Sequence, residues 1–107
     1  MTRKTYNKLV RDRIPEIIIK NGGSPKTTTL NDVDYQTKLK EKLVEEATEL
    51  LAEKEDVLNE LADVLELVIS IGKNHGLKYS EIEKKRKSKN TKRGGFKKRI
   101  FLEWVDE

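Results

Sequence analysis

Residues 43–71 read LVEEATELLAEKEDVLNELADVLELVISI, an apolar pattern of helical period that changes character near its middle. Before Lys54-Glu55 the apolar residues recur about every 3.6 positions and share one face of a helix. After that point they cover more than half of the circumference, which is typical of a central, buried helix. The pattern predicts two antiparallel helices, from about Val33 to Glu53 and from about Asp56 to Asn74.

The break between these helices carries no glycine or proline. One continuous helix from Asp34 to Asn74 is therefore an alternative. A hairpin would bring the acidic residues on the two sides of the break together, whereas a continuous helix would separate them.

Two shorter helices are predicted beside the hairpin. Pro15 suits the first turn of a short helix that ends at Lys20. Ser80 and Glu83 have the spacing of a capping box, which predicts a helix from Ser80 to about Lys92.

The two remaining segments are rich in β-branched or aromatic residues. Phe96–Trp104 favours a short strand that pairs with Lys26–Leu30. We expect an all-α fold in one domain, residues 1–107: an antiparallel helical bundle with short extended N- and C-terminal segments.

Composition narrows the class of protein. Charged residues make up 39% and hydrophobic residues 35% of the 107 residues, which is lean for a monomer with one core and favours a homodimer or homotetramer. The lack of cysteine excludes disulfides and thiolate sites. No apolar run reaches the ~18 residues of a membrane span, and no signal peptide is evident, so a cytoplasmic protein is expected.

The charges are separated along the chain. Acidic residues dominate from Glu41 to Glu66, whereas Lys84–Arg99 contains many basic residues and no acid. The basic segment would meet either an external polyanion or phosphates that a metal holds at the acidic centre.

Two acidic pairs have the spacing of a metal site. Glu46 and Glu49, like Glu60 and Asp63, are three residues apart, so each pair lies on one side of its helix. In a hairpin the pairs become two matched levels between helix axes about 8–10 Å apart. Four carboxylates suit Mg²⁺, with Mn²⁺ possible. The alternative is a solvated acidic helix face.

In these acidic motifs the sequence resembles the all-α nucleoside triphosphate pyrophosphatase superfamily, which includes MazG, phosphoribosyl-ATP pyrophosphohydrolase and the dimeric dUTPases. The acidic pattern EExxE followed by ExxD carries the likeness. Tyr6–Pro15 and Arg93–Ile100 are similar to a small phosphoribosyl-ATP pyrophosphohydrolase-like, MazG-related branch. The ten-residue gap between the acidic motifs is at or below the short end of the family's range.

The resemblance implies that Glu46, Glu49, Glu60 and Asp63 bind the metal. It also implies cleavage between the α and β phosphates of a nucleotide, and suggests house-cleaning of non-standard nucleotides. A carboxylate would accept a proton from the attacking water, and Glu49 or Glu45 could do so.

Basic and amide side chains are the candidates for phosphate binding. The members are Lys87, Asn90 and Arg93, which recur every three residues on the predicted third helix, together with Arg11 and Arg13. Two other classes remain as alternatives: a nucleic-acid-binding or regulatory module that uses residues 84–99, and a helical interaction protein without chemistry.

Overall fold

The computed structural model describes residues 2–107, which form four α-helices joined by loops. The helices are α1 (Ile14–Lys20), α2 (Asp32–Ala52), α3 (Val57–Asn74) and α4 (Tyr79–Arg93). Residues 2–107 contain no β-strand, so the all-α class is confirmed. α3 is central because it packs against both α2 and α4.

Side chains cap the α2–α3 hairpin at the start of each helix. Asn31 Oδ1 accepts a hydrogen bond of 2.8 Å from the backbone N–H of Asp34, which fixes the start of α2. Asp56 Oδ1 accepts one of 3.2 Å from the N–H of Asn59 at the start of α3. Both caps satisfy N–H groups that have no partner inside a helix.

The turn between α2 and α3 is built by an acidic side chain. Glu53 Oε1 accepts hydrogen bonds of 2.9 Å from the backbone N–H groups of both Glu55 and Asp56. These bonds stabilise a turn between the two helices although the turn contains no glycine or proline. The chain therefore forms a hairpin, and the alternative of a continuous helix from Asp34 to Asn74 is wrong.

Two glycines determine how α3 ends and how closely α4 packs against it. Gly76 has φ 75°, and the N–H of Leu77 donates to the carbonyl of Gly72 over 2.8 Å, as in a Schellman motif. A Cβ on Gly72 would lie 2.7 Å from Ile82 Cδ1, so α4 approaches α3 closely at this position.

The predicted capping box of α4 is wrong. α4 begins at Tyr79 after Lys78, which has no capping side-chain hydrogen bond. Glu83 instead accepts a 3.0 Å hydrogen bond from Arg86 Nε. The guanidinium one turn further along the helix supplies a charged partner for the carboxylate that the box would have used.

The predicted strand pair, Phe96–Trp104 with Lys26–Leu30, is also wrong, since neither segment forms a strand. The C-terminal segment turns at its start, where the N–H of Arg99 donates to the carbonyl of Phe96 over 3.1 Å. Arg99 has φ 58°, which interrupts an extended run. β-branched and aromatic composition alone does not supply the neighbouring strand that a ladder needs.

The isolated chain buries few apolar side chains in its core. Leu39 of α2 and Leu67 of α3 are its buried apolar side chains among the described residues. The opposite side of α3 carries Leu58, Leu61 and Leu65, all exposed. The prediction that α3 is the central helix is thus correct for its position, but no other part of residues 2–107 covers one of its faces.

Candidate metal centre

The hairpin brings three of the four predicted metal ligands to one point. Oxygen atoms of Glu46, Glu60 and Asp63 all lie within 4.8 Å of one another. The fourth, Glu49, belongs to an overlapping group with Glu45 and Glu46, also within 4.8 Å. Glu46 is common to both groups, so the acids of α2 and α3 meet at its carboxylate.

The burial of these acids is unequal. Glu46 is only 8% exposed, Glu60 and Asp63 are half-buried, and Glu49 is exposed. Glu46 Oε2 and Glu60 Oε2 are buried without a hydrogen-bond partner among the described atoms. An unpartnered carboxylate oxygen away from water is costly, and a bound cation would compensate both. The residues therefore fit a hard divalent cation such as Mg²⁺.

Two basic side chains partly neutralise the acids. Lys42 Nζ lies 3.6 Å from Glu46 Oε1, one helical turn away. Arg11 Nη2 donates a 2.7 Å hydrogen bond to Asp63 Oδ1. Each contact engages one carboxylate oxygen and leaves the other oxygen of the same group available.

The pKa of Glu49 is raised above its ordinary value of 4.5. The first cause is a hydrogen bond with the side chain of Glu46, followed by the charge of Glu46, partial desolvation and the charge of Glu45. Two ionised carboxylates cannot donate to each other, so this bond forms only when Glu49 is protonated. A cation at Glu46 would remove the repulsion that favours protonation.

The second candidate proton acceptor, Glu45, faces the N-terminal segment. Lys8 Nζ lies 3.7 Å from Glu45 Oε1. Asn7, Lys8 and Leu9 line a small cleft with residues of α2, Glu45 among them. The N-terminal segment thus touches both helices of the hairpin, through Lys8 on α2 and Arg11 on α3.

The predicted phosphate-binding residues are not all brought to the acids. Arg11 lies there, bound to Asp63, whereas Arg13 pairs with Glu16 on α1 over 3.3 Å. The three predicted residues of α4 are exposed, and among residues 2–107 their side chains make no ion pair or hydrogen bond; they are Lys87, Asn90 and Arg93.

Two lysines at this centre were not among the predicted site residues. Lys42 could have been found, because it lies four residues before Glu46 and that spacing places the pair on one helix face. Lys8 carries no such signal, because its contact with Glu45 spans 37 residues of sequence and depends on how the N-terminal segment docks.

None of the helices in the described part of the chain combines the length and apolarity needed to cross a membrane.

Comparisons with known proteins give one partial match. No protein-family model matches the chain, and no solved structure does. An uncharacterized protein of Mycolicibacterium smegmatis is 52% identical over 44 residues, which cover 41% of this chain and 45% of that protein. The chain therefore spans less than half the length of this relative, whose description names no activity.

Proposed function

We propose that this chain is a Mg²⁺-dependent nucleotide pyrophosphohydrolase. It would cleave a nucleoside triphosphate, or a related phosphoribosyl nucleotide, to the monophosphate and pyrophosphate, as in the house-cleaning of non-standard nucleotides. One observation carries the metal-dependent part: two buried carboxylate oxygens, Glu46 Oε2 and Glu60 Oε2, have no hydrogen-bond partner among residues 2–107 and belong to one cluster with Asp63. The nucleotide part rests on the family resemblance.

Glu46, Glu60 and Asp63 would hold the cation from two helices, and Glu49 would complete the set from α2. Carboxylate oxygens are the ligands that Mg²⁺ and Mn²⁺ prefer. When bound, Mg²⁺ supplies neutralisation of phosphate charge and a lowered pKa for a coordinated water. The acids would hold the cation against the packed pair of α2 and α3.

Glu49 is the favoured proton acceptor, with Glu45 as the second candidate. Water adds to a phosphorus atom of the α–β bridge and one of its two protons passes to the carboxylate. The bond from that phosphorus to the bridging oxygen breaks, which leaves the monophosphate and pyrophosphate. Glu49 suits this role because it is exposed at the edge of the cluster, next to the shared ligand Glu46.

Arg11 is the basic side chain best placed to meet a phosphate, since it already contacts the ligand Asp63. Its guanidinium could bind a phosphate oxygen while it keeps Asp63 in position. Arg13 and the α4 residues Lys87, Asn90 and Arg93 form an outer set. These would bind the far phosphates, either in the same chain or across a homodimer or homotetramer.

The test combines metal binding with turnover. We expect Mg²⁺ to raise the midpoint of thermal unfolding relative to EDTA, and one or more members of a panel of standard and damaged nucleoside triphosphates to release pyrophosphate. Glu60→Gln and Asp63→Asn should lose both effects. Glu66→Gln is the matched control, because Glu66 is an exposed acid of α3 outside the cluster.

Two outcomes would count against the proposal. Pyrophosphate release from no member of the panel would remove the reaction. Equal Mg²⁺ stabilisation of Glu60→Gln and the unsubstituted chain would remove the metal site.

A nucleic-acid-binding module is the second candidate function. The observation in its favour is that ion pairs within residues 2–107 involve a single basic residue of segment 84–99, Arg86. Such binding would fall steeply with salt. Lys87→Ala and Arg93→Ala should then weaken binding to a duplex, whereas Glu60→Gln should leave it intact.

A further inference from the structure

The described chain leaves two apolar surfaces uncovered. The first, the outer stripe of α3, consists of Leu58, Leu61 and Leu65, which recur at i, i+3 and i+7 on the face opposite the buried Leu67. The second is the C-terminal arm, residues 94–107. Its large apolar side chains are all between 57% and 99% exposed: Phe96, Ile100, Phe101, Leu102, Trp104 and Val105.

Charge makes these two surfaces complementary. The turn that leads into the outer stripe, residues 53–56, contains three acids and one lysine. Residues 84–99, which lead into the arm, contain ten Lys or Arg and no acid. The basic triplet Lys97–Arg99 precedes Phe101, just as the acids at 53, 55 and 56 precede Leu58.

The arm does not cover the stripe of its own chain. α4 contacts α3 near the C-terminal end of α3, where Gly72 lies against Ile82. Every large apolar side chain of the arm and every leucine of the stripe remains exposed.

We propose that a second copy of the chain covers both surfaces by reciprocal exchange of the arm. The arm of each copy lies on the outer stripe of the other, with Phe101 and Trp104 against the leucines and Lys97–Arg99 beside the acidic turn. Each chain carries both an arm and a stripe. A twofold dimer therefore forms two identical contacts between arm and stripe, and both surfaces of both chains are covered. The exchange is independent of the metal and of the proposed reaction.

The surface available is large enough for a stable dimer. An aromatic side chain buries roughly 150–250 Å² when it is fully covered. The three aromatic residues of the arm, Phe96, Phe101 and Trp104, would therefore supply at least half of the roughly 800 Å² per partner that stable interfaces bury. The three leucines of the stripe and Ile100 add to this area.

The first experiment measures mass by analytical ultracentrifugation, in EDTA and in Mg²⁺. We expect the full chain to sediment at twice 12.4 kDa in both buffers. Leu61→Lys and Phe101→Lys should each shift it to a single 12.4 kDa chain with unchanged helical circular dichroism. Val33→Lys is the control, since Val33 is an exposed apolar residue at the other end of the hairpin and should leave the dimer intact.

The second experiment identifies which surfaces meet and does not depend on loss of folding. The chain has no cysteine, so Leu61→Cys and Phe101→Cys each introduce one reactive thiol. When the two variants are co-expressed with different tags and treated with a short bismaleimide, links should join one variant to the other. A monomeric full chain, or links only between identical variants, would overturn the exchange while leaving the metal proposal standing.

Discussion

The α2–α3 hairpin and the segment formed by α4 and the C-terminal arm carry comparable numbers of charges of opposite sign, yet they use them differently. In the hairpin, acids cap a helix, build the turn and converge from two helices on one buried carboxylate, Glu46. In α4, nearly all the basic side chains are exposed. The difference shows that spacing on one helix places charges on one face, whereas a second helix is needed to concentrate them.

The largest expected effect tests whether the acids that converge on Glu46 bind a cation. Glu60→Met should abolish stabilisation by Mg²⁺, which amounts to about 2.7 kcal/mol at a concentration 100 times Kd. In EDTA the same variant should be as stable as the unsubstituted chain or more so, because it removes a buried carboxylate oxygen that has no hydrogen-bond partner in the described part of the chain. Denaturant titrations with and without Mg²⁺ measure both quantities.

Glu66→Met is the matched control, since it makes the same substitution on an exposed acid of α3. A Glu60→Met protein that keeps the full Mg²⁺ response would show that the acids converge without serving a cation.

A smaller effect is expected from the acid that builds the turn. Glu53→Ala removes the acceptor for the N–H groups of Glu55 and Asp56, so the midpoint of thermal unfolding should fall at pH 7. These two bonds hold the pKa of Glu53 below 4.5, and the bond from the N–H of Asp56 contributes more than that from Glu55. The stabilisation is therefore present above the unfolded pKa and is lost as pH falls through the folded one.

Thermal unfolding across an acid series checks this prediction. The difference between Glu53→Ala and the unsubstituted chain should shrink as the pH falls below 4.5. A difference that stays constant down to strongly acidic pH would mean that the carboxylate does not act through these bonds.

A further prediction sharpens the contrast between capped and uncapped helices. Lys78 precedes α4 with an extended backbone, φ −82° and ψ 147°, and has no capping side-chain bond. Lys78→Asp should supply a cap and stabilise the protein by about 0.5–1 kcal/mol. Lys78→Ala removes the same charge without adding an acceptor, so a gain of equal size in both variants would contradict capping as the cause.

The smallest effect concerns Glu49 and has the opposite sign to that of Glu53. Its raised pKa means that the bond to Glu46 stabilises the folded protein below pH 4.5 and is lost as pH rises through the folded pKa. Glu49→Gln should therefore flatten this part of the pH dependence in EDTA. Mg²⁺ should also bind more weakly as the pH falls toward that range, which calorimetric titration at several pH values measures.

The helices could be predicted from the sequence because local signals set their ends. The predicted starts at Val33 and Asp56 and the end at Asn74 agree with α2 and α3 to within one residue. The turn was harder, since its stability comes from the side chain of Glu53 rather than from glycine or proline. The strand pair failed because it depended on contact between distant segments, which composition does not encode.

In the candidate site, the acids of the hairpin could be predicted from the sequence, whereas the basic side chains of the N-terminal segment could not. The i, i+3 spacing of Glu60 and Asp63 and the length of the turn predicted their approach to Glu46, and the structure brings the three together. The positions of Arg11 and Lys8 could not be derived, because they depend on how a segment without regular structure lies across the hairpin.

The ion pair between Arg11 and Asp63 joins two parts of the chain that are 52 residues apart in sequence. A cation held by Asp63 would draw on the same carboxylate that docks the N-terminal segment. By thermodynamic linkage, if the cation changes the equilibrium constant for docking of this segment by some factor, then docking changes the affinity for the cation by the same factor. A label placed near Arg11 would therefore report the occupancy of the acidic cluster from outside it.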